Sequence, residues 1–378
     1  MRIVDVTQWY APRSGGIRTY LHAKAAFAAE THRPHALIVP STTARVSRIE
    51  RSPIIEVPGL PTAQETGYRL IPHPRPILNA LDRLAPSVLV VHDATAFPRS
   101  LCRWARLRGI PVVMLVHSEL EAGAAGIPAP LRLPTQHVLR IVQARGIDGP
   151  DAVIATSNSV ADRLRSRSGI HIYVSPLGVD TGVFHPREPD ERLRRALAQP
   201  NETLLVHAGR LSSEKRPELL IDVIANLRES CVLAIAGSGS AEGDLRRRVA
   251  AQGLEERVRF LGHVDDREQL ARLYAVADCF VHVNSGETFG LAPLEALASG
   301  CRVVLPADCG VAETAGTDDL VTVEPNSVAA LVAGIRDALS HPRPQPEVDQ
   351  LSWRRTFERE WALYGLLAGR AATGEAVA

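Results

Sequence analysis

The strongest constraint in this 378-residue chain is a rhythm that occurs twice. Short apolar runs of strand length alternate with longer segments of helical periodicity. In the first block the runs are RIVDV (Arg2–Val6), HALIV (His35–Val39), SVLVVH (Ser87–His92), PVVMLVH (Pro111–His117) and DAVIAT (Asp151–Thr156). Amphipathic segments such as Ile17–Glu30 and Thr135–Gly146 lie between them. In the second block the runs are TLLVHAG (Thr203–Gly209), CVLAIAG (Cys231–Gly237), VRFLG (Val258–Gly262), DCFVHV (Asp278–Val283) and CRVVL (Cys301–Leu305). Predicted helices Lys215–Arg228, Gly243–Gln252, Arg267–Val276 and Leu291–Ser299 join these. Near-continuous apolar strands separated by helices are strands of a parallel sheet covered on both faces. Two such blocks predict an α/β chain of two doubly wound domains.

The break falls in the turn-rich, then highly charged stretch PLGVDTGVFHPREPDERLRR. It gives domains over residues 1–184 and 185–352, with a last helix from Trp353 to Gly369 and a frayed tail beyond it. In such a chain the default ligand site is the cleft between the domains.

Charge and composition exclude other classes. The formal net charge is +1 and only 4% of residues are aromatic, so neither an electrostatic footprint for nucleic acid nor a base-stacking surface is indicated. No apolar run approaches the roughly 18 residues needed to cross a bilayer. The chain enters a strand directly after Met1, without a cleavable signal pattern, and a cytoplasmic location is expected. The five cysteines are scattered, with no CxxC, which predicts reduced thiols and no zinc site.

Four stretches follow strand ends, the ligand side of an open α/β sheet. Gly15 and Gly16 precede the first predicted helix, where bare backbone and free N–H groups suit an anion or simply make a tight turn. The pattern is not GxGxxG, which speaks against a dinucleotide site. Arg210 and Lys215 follow the second block's first strand. They suit a diphosphate, Arg through bidentate contacts and Lys as a point charge, or form a solvated basic turn. Gly237 in AGSGS suits a nucleotide-base contact or a plain turn. Finally, NSGETFGLAPLEALASG (Asn284–Gly300) turns into a helix whose N–H groups can take phosphate oxygens. A carboxylate just before them, Glu287, repels phosphate and calls for a neutral partner rich in hydroxyls. Glu295, about a turn into that helix, suits a ribose diol or faces solvent.

Taken together, GGI, GRLSSEKRPELLI, GSG and ETFGLAPLEALASG resemble the retaining glycosyltransferases of the GT-B fold, the glycogen-synthase and sucrose-synthase-like group. SNSVADRL (Ser157–Leu164) and PLGVDTGVFHP (Pro176–Pro186) extend the likeness over most of the chain. The resemblance implies two Rossmann-like domains facing across a cleft, with the last helix, residues 353–378, returning to the N-terminal domain. It implies Gly15 and Gly16 against the donor diphosphate, Arg210 and Lys215 clamping it, and Glu287 on the donor sugar. It further implies the backbone of Phe289, Gly290 and Leu291 seating sugar and phosphate, Glu295 on the ribose, and His117 beside the reacting sugar. His92 and Asp93, at the next strand end, become acceptor-side candidates.

The implied reaction retains configuration and needs no cofactor and no metal. The acceptor attacks on the face the diphosphate leaves, and the leaving phosphate oxygen takes its proton. Closure of the two domains would exclude water.

PRSGGIRTYL, TGYRLIPHP (Thr66–Pro74) and GETFGLAPLEALASG look most like actinobacterial mannosyltransferases that use GDP-mannose on phosphatidylinositol mannosides. That likeness implies a mannosyl donor and a glycolipid, glycan or small-molecule acceptor. Tyr68 and Arg69 are candidates to touch the acceptor. In PRSLCRWARLRG (Pro98–Gly109) the residues Arg99, Arg103 and Arg106 share a helical face, which suits peripheral contact with an anionic membrane or a solvated crossover helix. A GT-B nucleotide-sugar epimerase, a UDP-sugar enzyme with a soluble natural-product acceptor, and a non-catalytic nucleotide-binding module stay open as alternatives.

Overall fold

The computed structural model describes residues 1–11, 15–62, 67–92, 97–117, 149–165, 171–314 and 320–373. The expected helix Thr135–Gly146 and the candidate Asp93 lie outside the described residues. The chain forms two compact units, one of Met1–Leu177 with Trp353–Ala378, the other of Gly178–Ser352. The sequence places the break after residue 184. In the structure Gly178–Phe184 belongs to the second unit, where Val179 N donates to Leu351 O and the Phe184 ring lies 6.0 Å from Tyr274.

The first unit carries strands β1 (Ile3–Val6), β2 (His35–Ser41), β3 (Arg45–Ile49), β4 (Ser52–Pro58), β5 (Leu60–Pro61), β6 (Arg69–Leu70), β7 (Val88–His92), β8 (Val112–Val116), β9 (Ala152–Ala155) and β10 (Ile172–Val174). Eight of them make one sheet in the order β10-β9-β8-β7-β1-β2-β4-β3. Its pairs are parallel except β3 with β4. One face packs Val4, Val6, Leu89 and Val91 against helices Arg75–Leu84 and Pro98–Arg106. The other face is covered by helices Gly16–Glu30 and Trp353–Thr373, where the Phe27 ring of the first meets the Phe357 and Trp361 rings of the second at 5.5 and 5.4 Å.

The second unit carries β11 (Thr203–Ala208), β12 (Cys231–Ala236), β13 (Val258–Gly262), β14 (Cys279–Val281), β15 (Arg302–Pro306) and β16 (Leu320–Val323). They form an all-parallel sheet ordered β13-β12-β11-β14-β15-β16. Numbered within the unit this is 3-2-1-4-5-6, the doubly wound order whose strand sequence reverses between its first and fourth strands. The core is aliphatic, built from residues such as Leu205, Leu233, Val281 and Ile335. All five cysteines are unbridged and buried.

Differences from the sequence reading have local causes. The predicted helix Lys215–Arg228 splits into a 3-10 turn, Ser213–Lys215, and a helix, Glu218–Asn226. Pro217 has no N–H to give and biases Arg216 away from the right-handed helical region, and Arg216 sits at φ +51°. Strand β3 of the hairpin β3–β4 is largely exposed and mixes Arg45, Ser47 and Arg48 with Val46 and Ile49, so it shows no continuous apolar run.

Candidate active site

In the second unit the reversal of strand order brings together the carboxyl ends of β11 and β14, from which connections leave in opposite directions. The loop after β11 carries Arg210 and Lys215, and the loop after β14 carries Asn284–Gly290. Glu287 O accepts from Gly310 N at 3.0 Å and Phe289 O from Val311 N at 2.8 Å, which pins the second loop.

Lys215 Nζ lies 2.6 Å from Glu287 Oε2. Asn284 Nδ2 donates to the same oxygen, and His282 Nε2 stands 3.9 Å away. Burial works to raise the Glu287 carboxyl, but Lys215, then His282 and the hydrogen bonds, overcome it and bring its pKa down to about 2. His282 is pushed down to about 3, chiefly by burial, and is neutral. Both its ring nitrogens are buried without a hydrogen-bond partner among the described residues. Arg210 is exposed and, unlike Lys215, has no ion-pair partner among the described residues. The two cations expected to act alike thus differ in the structure.

Helix Leu291–Ala298 starts at Gly290, with φ +99° and no side-chain cap. A Cβ at Gly290 would meet Cys309 Sγ at 3.0 Å, so both backbone and space favour glycine. The backbone N–H groups of Leu291 and Ala292 have no partner among the described residues. They form a donor set for an oxyanion a few residues past Glu287. Phe289 is buried.

Glu295 is not a solvated helical residue. It is 6% exposed, and its Oε1 accepts from Arg267 Nη2 at 3.0 Å. Burial raises its carboxyl against the pull of Arg267. Glu287 and Glu295 therefore have separate cations. Gly237 runs so close to the end of β11 that a Cβ would come 1.9 Å from Gly209 O, so glycine is required there by the packing of two strand-end loops.

The first unit holds a second polar cluster, which strand register builds. Asp5 pairs with Leu37 on one side and Val90 on the other. Two residues before Leu37 and two after Val90, on the same face, stand His35 and His92. His92 in turn pairs with Leu115, two residues before His117. Asp5 Oδ2 meets His35 Nε2 at 2.7 Å, Asp5 Oδ1 meets His92 Nε2 at 2.7 Å, and His92 Nδ1 meets His117 Nε2 at 2.8 Å. Lys24 Nζ donates to Asp5 Oδ1 at 2.8 Å and to Tyr364 OH at 3.0 Å. Glu360 Oε2 accepts from Tyr20 OH at 2.5 Å and Tyr364 OH at 3.0 Å.

Burial opposes the Asp5 charge, yet Lys24 and both histidines hold its carboxyl well below the usual range. Burial lowers His35, His92 and, furthest, His117, so all three are neutral.

This arrangement corrects the reading of His92 as an acceptor contact. The residue is fully buried with both ring nitrogens engaged, and its place is behind His117. Gly15 and Gly16 are exposed at the start of helix Gly16–Glu30. Tyr68 packs edge-on to Trp9 at 5.4 Å, and Arg69 Nε is engaged by Gly59 O at 2.7 Å. In helix Pro98–Arg106 the apolar residues Leu101 and Trp104 face the core, leaving Arg99, Arg103 and Arg106 outside.

Sequence inspection does not single out Asp5, Lys24, His35, Tyr20, Glu360, Asn284 or His282. A charged residue inside RIVDV was the available signal. Among the described residues no group of three or more His, Cys, Asp or Glu is placed to hold a metal ion, and no helix is long and apolar enough to cross a membrane.

Residues 189–351 match the family model of glycosyl transferases group 1, and residues 14–183 that of glycosyltransferase family 4. Over 385 aligned residues, 97% of each chain, the protein is 32% identical to a GDP-mannose-dependent alpha-(1-6)-phosphatidylinositol dimannoside mannosyltransferase of Mycobacterium tuberculosis. It is 29% identical over 293 residues to a D-inositol 3-phosphate glycosyltransferase of Actinosynnema mirum, covering 70% of this chain and 67% of that one. Among solved structures, sucrose-phosphate synthase from Thermosynechococcus elongatus superposes with a TM-score of 0.71 at 18% identity, over 99% of this chain and 98% of that one.

Proposed function

The chain belongs to the glycosyltransferases of the GT-B fold, and from that premise we propose that it moves mannose from GDP-mannose to a lipid-linked glycan acceptor, retaining the anomeric configuration. The observation that carries the reading is the pairing of Lys215 with Glu287 beside the unpaired N–H groups of Leu291 and Ala292, at the strand-order reversal. A diphosphate needs cations and N–H donors, and a hexose needs an acceptor for its hydroxyls. This crevice offers both. The 32% identity to a GDP-mannose-dependent enzyme along nearly the whole chain supports the donor.

In this reading Arg210 and Lys215 stabilise the leaving diphosphate, with Leu291 and Ala292 N–H on its oxygens. Glu287 accepts hydrogen bonds from sugar hydroxyls, and Glu295 holds the ribose through the oxygen not committed to Arg267. Gly15, Gly16 and His117 act on the same donor, on the family resemblance. The bond from the anomeric carbon to the diphosphate oxygen breaks as the acceptor oxygen bonds to that carbon from the same side. The acceptor proton passes to the leaving phosphate oxygen. No enzyme nucleophile takes part, and the two cations supply the charge that a divalent metal supplies elsewhere.

Nucleotide release from a panel of GDP- and UDP-sugars, with and without EDTA and with phosphatidylinositol mannoside or inositol phosphate as acceptor, tests this. GDP-mannose turned over in EDTA with the glycolipid is the expected result. Preference for a UDP-sugar, or for inositol phosphate as in the Actinosynnema relative's name, would replace the donor or acceptor assignment. Release of free epimerised sugar without any acceptor would replace transfer altogether.

A further inference from the structure

Strand register sets three arginines side by side at the amino edge of the first unit's sheet. Arg2 directly precedes β1, Arg51 directly precedes β4, and Arg33 stands two residues before β2, which lies between them. The three strands are parallel, with Ile3 beside His35 and Leu37 beside Ile54, so they begin level with one another at steps of about 4.8 Å. This is the edge opposite the strand carboxyl ends, where an open α/β sheet binds its usual ligands.

Arg2, His32, Arg33 and Arg51 line a cavity of about 380 Å³, together with apolar residues such as Ala36 and Leu84. Among the described residues no aspartate or glutamate lines it. On the adjoining helices Glu30 and Asp82 are held by Arg354 and Arg108, and Glu50 is exposed outside the lining.

Cations collect at this edge for a plain reason: helices end there, and each C-terminus carries about −0.5 charge. Arg2 Nη1 does donate to Leu84 O at the end of helix Arg75–Leu84. His32 Nδ1 lies 3.1 Å from Glu30 O at the end of helix Gly16–Glu30. Two helix ends against three guanidinium groups still leave about +2. Arg33 and Arg51 have no hydrogen-bond or ion-pair partner among the described residues. Arg51 is exposed, whereas the Arg33 head is held 5.3 Å from the Phe27 ring centroid and 5.6 Å from that of Trp361, which orders it and leaves its N–H donors uncommitted.

We propose that this cavity binds a phosphate monoester, held as its dianion by Arg33 and Arg51 with Arg2 beside them. The charge of about −2 at neutral pH matches the excess, and guanidinium forks suit phosphate oxygens. The shared chemistry belongs to a small phosphorylated molecule and to a phosphomonoester lipid headgroup. The site does not depend on which sugar the enzyme transfers.

The test is titration calorimetry of the full chain with glycerol 1-phosphate at pH 7.5 and about 50 mM sodium chloride, in a Lys215→Ala background that weakens phosphate binding beside Glu287. A Kd on the order of 1 mM is expected, weakened about tenfold or more in Arg33→Gln/Arg51→Ser. Arg51→Ser alone, at an exposed side chain without a partner, should act in the same direction and carries the comparison where Arg33→Gln loosens the rings around it. Flotation with phosphatidylcholine vesicles containing phosphatidic acid is the second arm. An effect of the substitutions on glycerol 1-phosphate with unchanged flotation assigns a soluble ligand, and an effect on flotation alone assigns a lipid headgroup. Binding of neither probe, or binding of both that is indifferent to Arg33 and Arg51, would overturn the proposal.

Discussion

Lys215 Nζ and Glu287 Oε2 stand 2.6 Å apart, so a cation and a carboxylate assigned to different parts of one donor hold each other in this structure. They are 32% and 21% exposed, so neither is sealed away. In the proposed reaction, arrival of a diphosphate would draw Lys215 to phosphate oxygens and free Glu287 for hydroxyls.

Removing either partner should damage transfer far more than folding. Lys215→Ala and Glu287→Ala are each expected to lower kcat/KM by at least about a hundredfold, or about 2.7 kcal/mol of transition-state stabilisation. A partly exposed pair contributes only about 0–1 kcal/mol to stability, so the thermal midpoint should move by a few degrees at most. Steady-state kinetics beside a melting curve checks both halves, and near-normal turnover in either variant would remove these roles.

Glu295 makes the opposite case, because its cation matters for the fold. Arg267→Met leaves a carboxyl 6% exposed with no partner, at an expected cost of about 1–3 kcal/mol. Adding Glu295→Leu should restore much of that loss, since an apolar pair of similar volume tolerates burial better than a lone charge. Urea unfolding of the two variants decides it. In kinetics, Glu295→Gln should raise the donor KM several-fold at little change in kcat, as a ribose contact remote from the reacting carbon would.

The parallel strands and their helices were legible because runs such as TLLVHAG and CVLAIAG are apolar throughout, a pattern that both-face burial enforces. The 3-2-1-4-5-6 order was not, since nothing local in a strand names its neighbour. Lys215 and Glu287 could be proposed because each follows a strand end, but their mutual bond spans 72 positions and depends on that order. Asp5, His35 and His92 sit on three different strands and His117 just past the end of a fourth, and they come together only through register, which no single run of residues displays. That Glu295 is buried rather than solvated was not legible, because helical periodicity does not reveal that Arg267, on another helix, covers it.

Membrane contact has a narrower basis in the structure than in the sequence. Leu101 and Trp104 are spent on the core, so the helix Pro98–Arg106 offers charge from Arg99, Arg103 and Arg106, with Leu107 at its C-cap as the one large apolar side chain exposed beside them. Any binding it supports should be electrostatic, at about 1 kcal/mol per arginine near an anionic surface. Sedimentation with phosphatidylglycerol vesicles at 20 mM salt is expected to capture the protein, and 300 mM salt to release it. The Arg99→Glu/Arg103→Glu/Arg106→Glu variant should stay in the supernatant at both. Equal capture of that variant would move the contact elsewhere on the chain.

Acid should weaken the fold well before its carboxylates protonate, because of histidines buried neutral. His282, with Glu287, His207 and Lys215 around it, has its pKa pushed from 6.5 to about 3, chiefly by burial. His35, His92, His117 and His207 are lowered too. In the unfolded chain these rings bind protons below about pH 6.5, while the folded chain does not. A group whose folded pKa is depressed in this way loses its favourable contribution as pH falls through the unfolded value. For His282 the loss is up to about 1.4 kcal/mol per pH unit between about 6.5 and 3. Glu295 and Glu360, raised by burial, act in the opposite sense, so the difference between wild type and His282→Gln is the quantity to read. Urea midpoints from pH 7.5 to 5 should fall more steeply for wild type than for His282→Gln. Parallel curves would mean that His282 takes up its proton in the folded protein at an ordinary pH.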